Sequence, residues 1–264
     1  EKVAKTFPGM VNRCKDCGFD LAGGRVEVVP TAHYLMGGVE FDVDCSTASP
    51  GLFAAGEDCG GVHGANRLGG NGVANSTVFG GIAGDSMAAY VSGVRQWKEP
   101  DKRVIHAGIE RAEYPFSKPP GAIHALRDAL SQTMWDDVGV LRNEQAMRRG
   151  LDAIGSHRHA LMAMGVSDGD RRYNVTWHDW LNLQSLVDIS RVITVSALAR
   201  ENSRGAHFRE DFPEPGDLHG SRYTRVSADG DAIRLDMVPV KFDIVEPGQS
   251  LITGEAGQPP KVAA

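Results

Sequence analysis

Between positions 60 and 72 the chain reads Gly-Gly-Val-His-Gly-Ala-Asn-Arg-Leu-Gly-Gly-Asn-Gly. Glycines at 60, 61, 64, 69, 70 and 72 leave no room there for a regular helix or strand. Directly afterwards, Val73 to Val91 carries small and apolar residues at helical spacing, so the loop is expected to open onto a helix N-terminus. Glycine lets a backbone approach a ligand closely, and Arg67 offers a planar guanidinium that can clamp a carboxylate with two hydrogen bonds. The helix end adds free N–H groups and a partial positive charge. Two readings fit this pattern: an anion site, or a glycine-rich structural turn with a surface arginine.

Charge makes a local anion site the more informative idea. The chain of 264 residues holds 28 Lys and Arg against 34 Asp and Glu, a formal charge of −6, so it has no electrostatic footprint for nucleic acid or an anionic membrane surface. Any anion must be captured by particular side chains. Four cysteines are too few for a disulfide framework at this length, which points to a reducing compartment or to simple indifference to redox state, and the chain reads as cytoplasmic. No apolar run is long enough for a spanning helix, so membrane contact is expected only peripherally, through partners. The chain opens at Glu1 rather than Met, inside ordered-looking sequence, which suggests a processed or truncated product.

With 41% hydrophobic residues the chain can bury a core spanning one to two domains. Val26 to Pro30 and Gly51 to Gly56 read as short buried strands bounded by turn residues. A polar, proline-containing connector is expected from about Gly93 to Gly121. Helical text follows at Ala122 to Trp135, Asn143 to Met164 and Trp177 to Asn202. In the last of these, apolar positions crowd two adjacent faces, as expected of a central helix. Ser221 to Ser227 and Ile233 to Val240 alternate around an Asp229-Gly230-Asp231 turn signal and predict a small β-containing terminal domain. The last ten or so residues, rich in Gly, Pro and Ala, read as disordered.

Other candidate residues are single signals. His33, in Pro30-Thr31-Ala32-His33-Tyr34-Leu35-Met36-Gly37-Gly38, could donate to a carboxylate or be a satisfied structural histidine. Gly37 and Gly38 would allow backbone to stack on a flat ring. Glu57 could accept hydrogen bonds from ligand hydroxyls, or be a solvated loop acid. Cys14 and Cys17 form a lone C-x-x-C with no second ligand pair, and His157, His159 and His178 have no partner acids at ligand spacing, so no metal is assigned. Trp135, Trp177 and Trp180 read as core. No G-x-G-x-x-G opens a βαβ unit, so a dinucleotide could not be held by this chain alone.

Three separated blocks resemble the succinate dehydrogenase/fumarate reductase flavoprotein family, which includes L-aspartate oxidase. Residues 30–38 look like its P-T-x-H-Y-x-M-G-G segment. Residues 51–72 look like its P-G-L-[FY]-A-x-G-E block running into H-G-A-N-R-L-G-x-N, and Ser203 to Pro213 look like its S-R-G-A-H-x-R-E-D segment. The resemblance covers roughly residues 25 to 245. It implies an α+β fold: the trailing edge of a capping domain (1–29), the C-terminal segment of an FAD-binding α/β domain (30–95), a helical bundle (96–213) and a small terminal domain (214–264).

It further implies catalytic and substrate-binding roles for His33 and Arg67 with Gly70 beside them, and FAD contacts from Gly37, Gly38, Glu57, Asn71, Gly72 and Val73. The implied reaction is hydride transfer between flavin N5 and a dicarboxylate such as succinate or fumarate. The ADP-cradling segment and the proton-moving arginine of the capping domain would lie upstream of Glu1, on a separate segment or subunit, and an iron–sulfur subunit is a further possible partner. One departure stands out: the family has Asn-Ser-Leu where this chain has Asn71-Gly72-Val73, so a side-chain hydroxyl is lost while backbone donors survive. L-aspartate oxidation, or a non-catalytic interaction module, are the rival functions.

Overall fold

A computed structural model describes residues 2–28, 32–96, 98–230 and 232–249. The chain divides into two compact units, Glu1–His33 and Tyr34–Ala264. The first contains two short helices, α1 (Lys2–Thr6) and α2 (Pro8–Asp16), the latter starting on a proline suited to a first helical turn. Neither helix was anticipated in the sequence. Cys14 and Cys17 are free thiols at the end of α2.

The second unit runs through α3 (Asn71–Gly93), α4 (Lys102–Glu113), a 3-10 turn (Tyr114–Ser117), α5 (Ile123–Val138), α6 (Glu144–Ala163) and α7 (Val175–Leu198). It ends in the antiparallel hairpin β1 (Arg222–Asp229) and β2 (Ala232–Pro239). The architecture is mixed α+β, as the resemblance implies, but among the described residues the strands expected at 26–30 and 51–56 do not form ladders. Residues 26–28 are irregular, and residues 29–31 lie outside the described set. Phe53 makes only an isolated bridge to Ser46, and Val39 one to Cys59. A strand needs a continuous partner, and among the described residues these segments find one for a single pair at a time.

The core is built by α5, α6 and α7. Ile123, Leu126 and Leu130 meet Ile154 and Leu161 around Trp180, Leu183 and Val187. Caps explain where α6 and α7 begin: the Asn143 side chain accepts from Ala146 N at 2.9 Å, and Asn174 accepts from Trp177 N at 2.8 Å. Buried Trp180 finds an acceptor in Met164 O at 3.0 Å, and Trp177 in Ala112 O at 2.6 Å. Trp135 departs from expectation, being 51% exposed. So does the outer side of α7, where Leu186 and Ile189 are exposed: the helix is central on one face only.

The predicted connector holds a helix, α4, nucleated by Asp101, whose side chain accepts from Arg103 N at 2.9 Å. Prolines at 100, 115, 119 and 120 suggested loop, but they bracket the helix rather than interrupt it. The hairpin turn does follow the sequence, with Gly230 at φ 60°, while Asp231 lies outside the described residues. So does the tail expected to be disordered. Arg200 joins α7 to β1 through Arg222 O at 3.0 Å. Among the described residues, no helix is long and apolar enough to cross a membrane.

Candidate functional site

The site region is the stretch from Tyr34 to the first turns of α3. Gly70 occupies the N-cap of α3 in the left-handed region, at φ 85°, and no side chain caps the helix. Its first turn carries no acid, so the helix dipole is uncompensated from within the helix. This is the open helix N-terminus expected from the glycine loop, and Asn71, Gly72 and Val73 form its first turn.

Arg67 lies just before it. Its Cζ sits 4.4 Å from the centroid of the Tyr34 ring, Nη1 donates to Leu68 O at 3.2 Å, and Nε is buried without a hydrogen-bond partner. An orphaned guanidinium donor is costly to bury, and such donors in native sites commonly serve a ligand. The Tyr34 hydroxyl meets His63 Nε2 at 3.3 Å and Asn75 Nδ2 at 3.2 Å, while Asn75 also donates to Gly56 O at 3.1 Å. Asn75 is only 4% exposed, on a helix that is otherwise largely solvent-facing.

Tyr34, His63 and Asn75 were not singled out from sequence. They are brought together across 29 and 12 positions. One available signal was an asparagine in an otherwise small and apolar helical run.

The other expected residues are placed as follows. Glu57 is exposed, and its Oε1 accepts from Leu35 N at 3.0 Å, which ties the first two segments of the resemblance together. Gly38 has a reason different from stacking on a ring: a Cβ there would lie 2.2 Å from Asp58 O, where Val39 N donates to Asp58 O at 2.7 Å. Gly37 has open space around it. Gly70 supplies the helix turn already described. His33 is exposed and closes the first unit, so it belongs to a different unit from Arg67.

Below the loop, Cys45 and Cys59 are buried, and burial pushes both thiols above the ordinary range. The Cys45 thiol donates to Phe79 O at 3.5 Å, anchoring the 39–59 segment on α3.

A second support comes from the Ser203 to Pro213 block. Gly205, at φ 56°, comes so close to the glycine loop that a Cβ would lie 2.4 Å from Ala65 O, and Ala206 N donates to that carbonyl at 3.0 Å. Ala65 lies midway between His63 and Arg67, so this block braces the loop bearing both. Behind it Arg209, 1% exposed, makes a bidentate pair with Asp211 and donates to the carbonyls of Ala197, Leu198 and Arg200.

Arg142 Nη1 lies 2.8 Å from His207 Nδ1, which therefore acts as acceptor, leaving the proton on Nε2, itself buried and unpartnered. Burial first, then the Arg142 and Arg200 guanidiniums, push His207 down to about 4. His157, part-buried rather than solvated as expected, bonds Thr133 Oγ1 across α6 and α5, while exposed His159 meets Gly155 O one turn back on its own helix. Among the described residues no group of three or more His, Cys, Asp or Glu could hold a metal ion.

Comparisons with known proteins identify the family. A family model described as fumarate reductase flavoprotein C-term matches residues 127–251, and one described as FAD binding domain matches residues 1–73. The fumarate reductase flavoprotein subunit of Mycobacterium tuberculosis is 31% identical over 233 residues, 85% of this chain and 40% of the relative. The fumarate reductase flavoprotein subunit of Escherichia coli (strain K12) is 30% identical over 253 residues, 94% of this chain and 42% of the relative. A solved quinol-fumarate reductase with menaquinol molecules superposes with a TM-score of 0.84 at 30% identity, covering 93% of this chain and 44% of that one. The chain thus spans about two fifths of the length of these relatives. The matches place it among FAD-binding flavoproteins. Within that class, it belongs to the family of succinate dehydrogenase and fumarate reductase flavoprotein subunits.

Proposed function

We propose that this chain forms the C-terminal part of a flavoprotein that interconverts succinate and fumarate, or a similar dicarboxylate, together with an upstream FAD-binding part. The observation that carries the reading is Arg67: a guanidinium beside an uncapped helix N-terminus, with no carboxylate partner among the described residues and its Nε orphaned. A dianionic substrate supplies the missing acceptors. Helix α3 supports the same reading from its outer side. It is apolar round most of its girth, yet only Asn75 and Ala83 are buried, which leaves surface for the upstream part to cover.

The donor set fits FAD. The uncapped first turn of α3 at Asn71, Gly72 and Val73 offers backbone N–H groups to an electron-rich ring edge, and Glu57 offers a carboxylate to ligand hydroxyls. When bound, FAD supplies the hydride acceptor or donor at N5. Arg67 holds one substrate carboxylate and, by its fixed charge, favours negative charge developing on the substrate beside it. His33 is assigned a substrate carboxylate on the family resemblance alone. Fixing the carboxylates orients the reacting C–C bond, which lowers the entropic part of the barrier. Electron exchange with an iron–sulfur subunit, and peripheral attachment through it at the cytoplasmic membrane face, belong to the same proposal.

The test is Arg67→Lys in the FAD-loaded protein carrying its upstream part, assayed on succinate, fumarate and L-aspartate. Lysine keeps the charge and loses the fork, so kcat/KM for the preferred substrate should fall by about 1.5–3 kcal/mol. An unchanged kcat/KM removes Arg67 from the substrate site, and a preference for L-aspartate selects the oxidase branch of the family.

A further inference from the structure

We propose that Tyr34 is the positioning residue for Arg67: an aromatic pedestal that fixes the guanidinium before substrate arrives. The proposal rests on the dicarboxylate reading above, and adds a residue that reading does not use. Two contacts define Arg67 among the described residues, the Leu68 carbonyl and the face of the Tyr34 ring at 4.4 Å. A cation this close to an aromatic face is attracted by its quadrupole, and the attraction grows where water is excluded. Without the ring, the Leu68 carbonyl alone would hold the guanidinium among the described residues. A long, flexible side chain would then have to be ordered at the moment of binding.

The pedestal is itself clamped on three sides. Its hydroxyl sits between Asn75 Nδ2 and His63 Nε2, at 3.2 and 3.3 Å. The orientation of Asn75 follows from Gly56 O at 3.1 Å, because a carbonyl can only accept and so must face the amide nitrogen. The His63 ring then packs edge-on against Tyr34, with centroids 5.3 Å apart and an interplanar angle of 82°.

On the remaining side lies Gly72. A Cβ at that position would stand 2.9 Å from Tyr34 Cε2 and 3.7 Å from Arg67 Cδ. A side chain at 72 would therefore press on the edge of the Tyr34 ring. Asn75 Oδ1 remains buried with no donor, so the network is not optimal for stability alone, as expected where geometry serves a ligand.

The experiment compares Tyr34→Leu, Tyr34→Phe and Arg67→Lys in the FAD-loaded protein with its upstream part. Dicarboxylate affinity is read by titration, and the Arg67 Nε–H resonance by nitrogen-15 NMR. Tyr34→Leu should weaken succinate or fumarate binding about tenfold. Tyr34→Phe, which keeps the ring, should recover it to within about threefold. The Arg67 signal should be ring-current shifted in the wild type and in Tyr34→Phe, and unshifted in Tyr34→Leu.

Wild-type affinity in Tyr34→Leu, with weakened binding in Arg67→Lys, overturns the positioning role and leaves the dicarboxylate reading standing. An unshifted Arg67 signal in the wild type overturns the pedestal whatever the protein binds. If the wild type binds no dicarboxylate, the function reading fails and the proposal fails with it, even where the shift shows the stacking to be real.

Discussion

The bundle of α5, α6 and α7 and the site region from Tyr34 through α3 hold themselves together by different physics. The bundle buries large apolar side chains against one another, with Trp180 at 0% exposure in its middle. The site region buries almost none. Val73 in the first turn of α3 is 77% exposed, and what fixes the loop is close backbone approach at Gly38 and Gly205, the Tyr34, His63 and Asn75 network, and two buried thiols. Apolar packing is non-directional and strong, so it sets stability; hydrogen bonds and glycine contacts are directional, so they set geometry. The contrast teaches that damage to the bundle should be read in unfolding, and damage to the loop in binding.

The largest expected effect tests the first half of that statement. Trp180→Ala removes the most enclosed side chain of the bundle and a hydrogen bond to Met164 O, and should cost about 3–5 kcal/mol by denaturant unfolding. A loss below about 1 kcal/mol would mean that the bundle is not the stability core.

The same division explains what the sequence made legible. The three bundle helices and the hairpin follow from repeated signals: apolar residues at helical spacing, and alternation around Gly230. Helix α4 was missed because flanking prolines outweighed one capping aspartate, and it has no buried residue to mark a packed face. The strands near residue 53 were over-read because short apolar runs do not say whether a partner strand lies beside them. In the site, Arg67 and the helix N-terminus were legible because glycine punctuates them locally. Tyr34 and Asn75 were not, since they lie 41 positions apart and a hydrogen bond over that distance leaves no local pattern.

A pH titration divides the two regions in a second way. His207 is pushed from 6.5 down to about 4, so between those values the unfolded chain binds a proton that the folded chain refuses. Stability should therefore be complete above about pH 6.5 and decline on acidification toward pH 4. Asp211 acts lower. Held to about 2, chiefly by its hydrogen bonds from Arg209, it contributes above its ordinary value of 3.8 and is lost as pH falls through about 2. Replacing His207 by Gln keeps an acceptor for Arg142 and should flatten the slope between pH 6.5 and 4. A slope unchanged by that substitution would assign the transition to other groups. Because this block braces Ala65, the wild type should lose loop order over the same window.

The smallest effect concerns α4, which belongs to neither regime: it buries no side chain, and its N-terminus hangs on the Asp101 cap. Asp101→Ala removes the acceptor for Arg103 N and the exposed pair with the Arg103 guanidinium, of which the cap matters and the surface pair contributes little. The loss, about 1 kcal/mol, should be felt only by the helix it starts. Amide exchange at Arg103 to Ile105 should then speed up about fivefold. The global unfolding midpoint should stay where it was, because no core contact depends on that first turn. A shift in the midpoint comparable to the local loss would show that α4 unfolds with the bundle, and the line between packed and merely attached elements would have to be redrawn to include it.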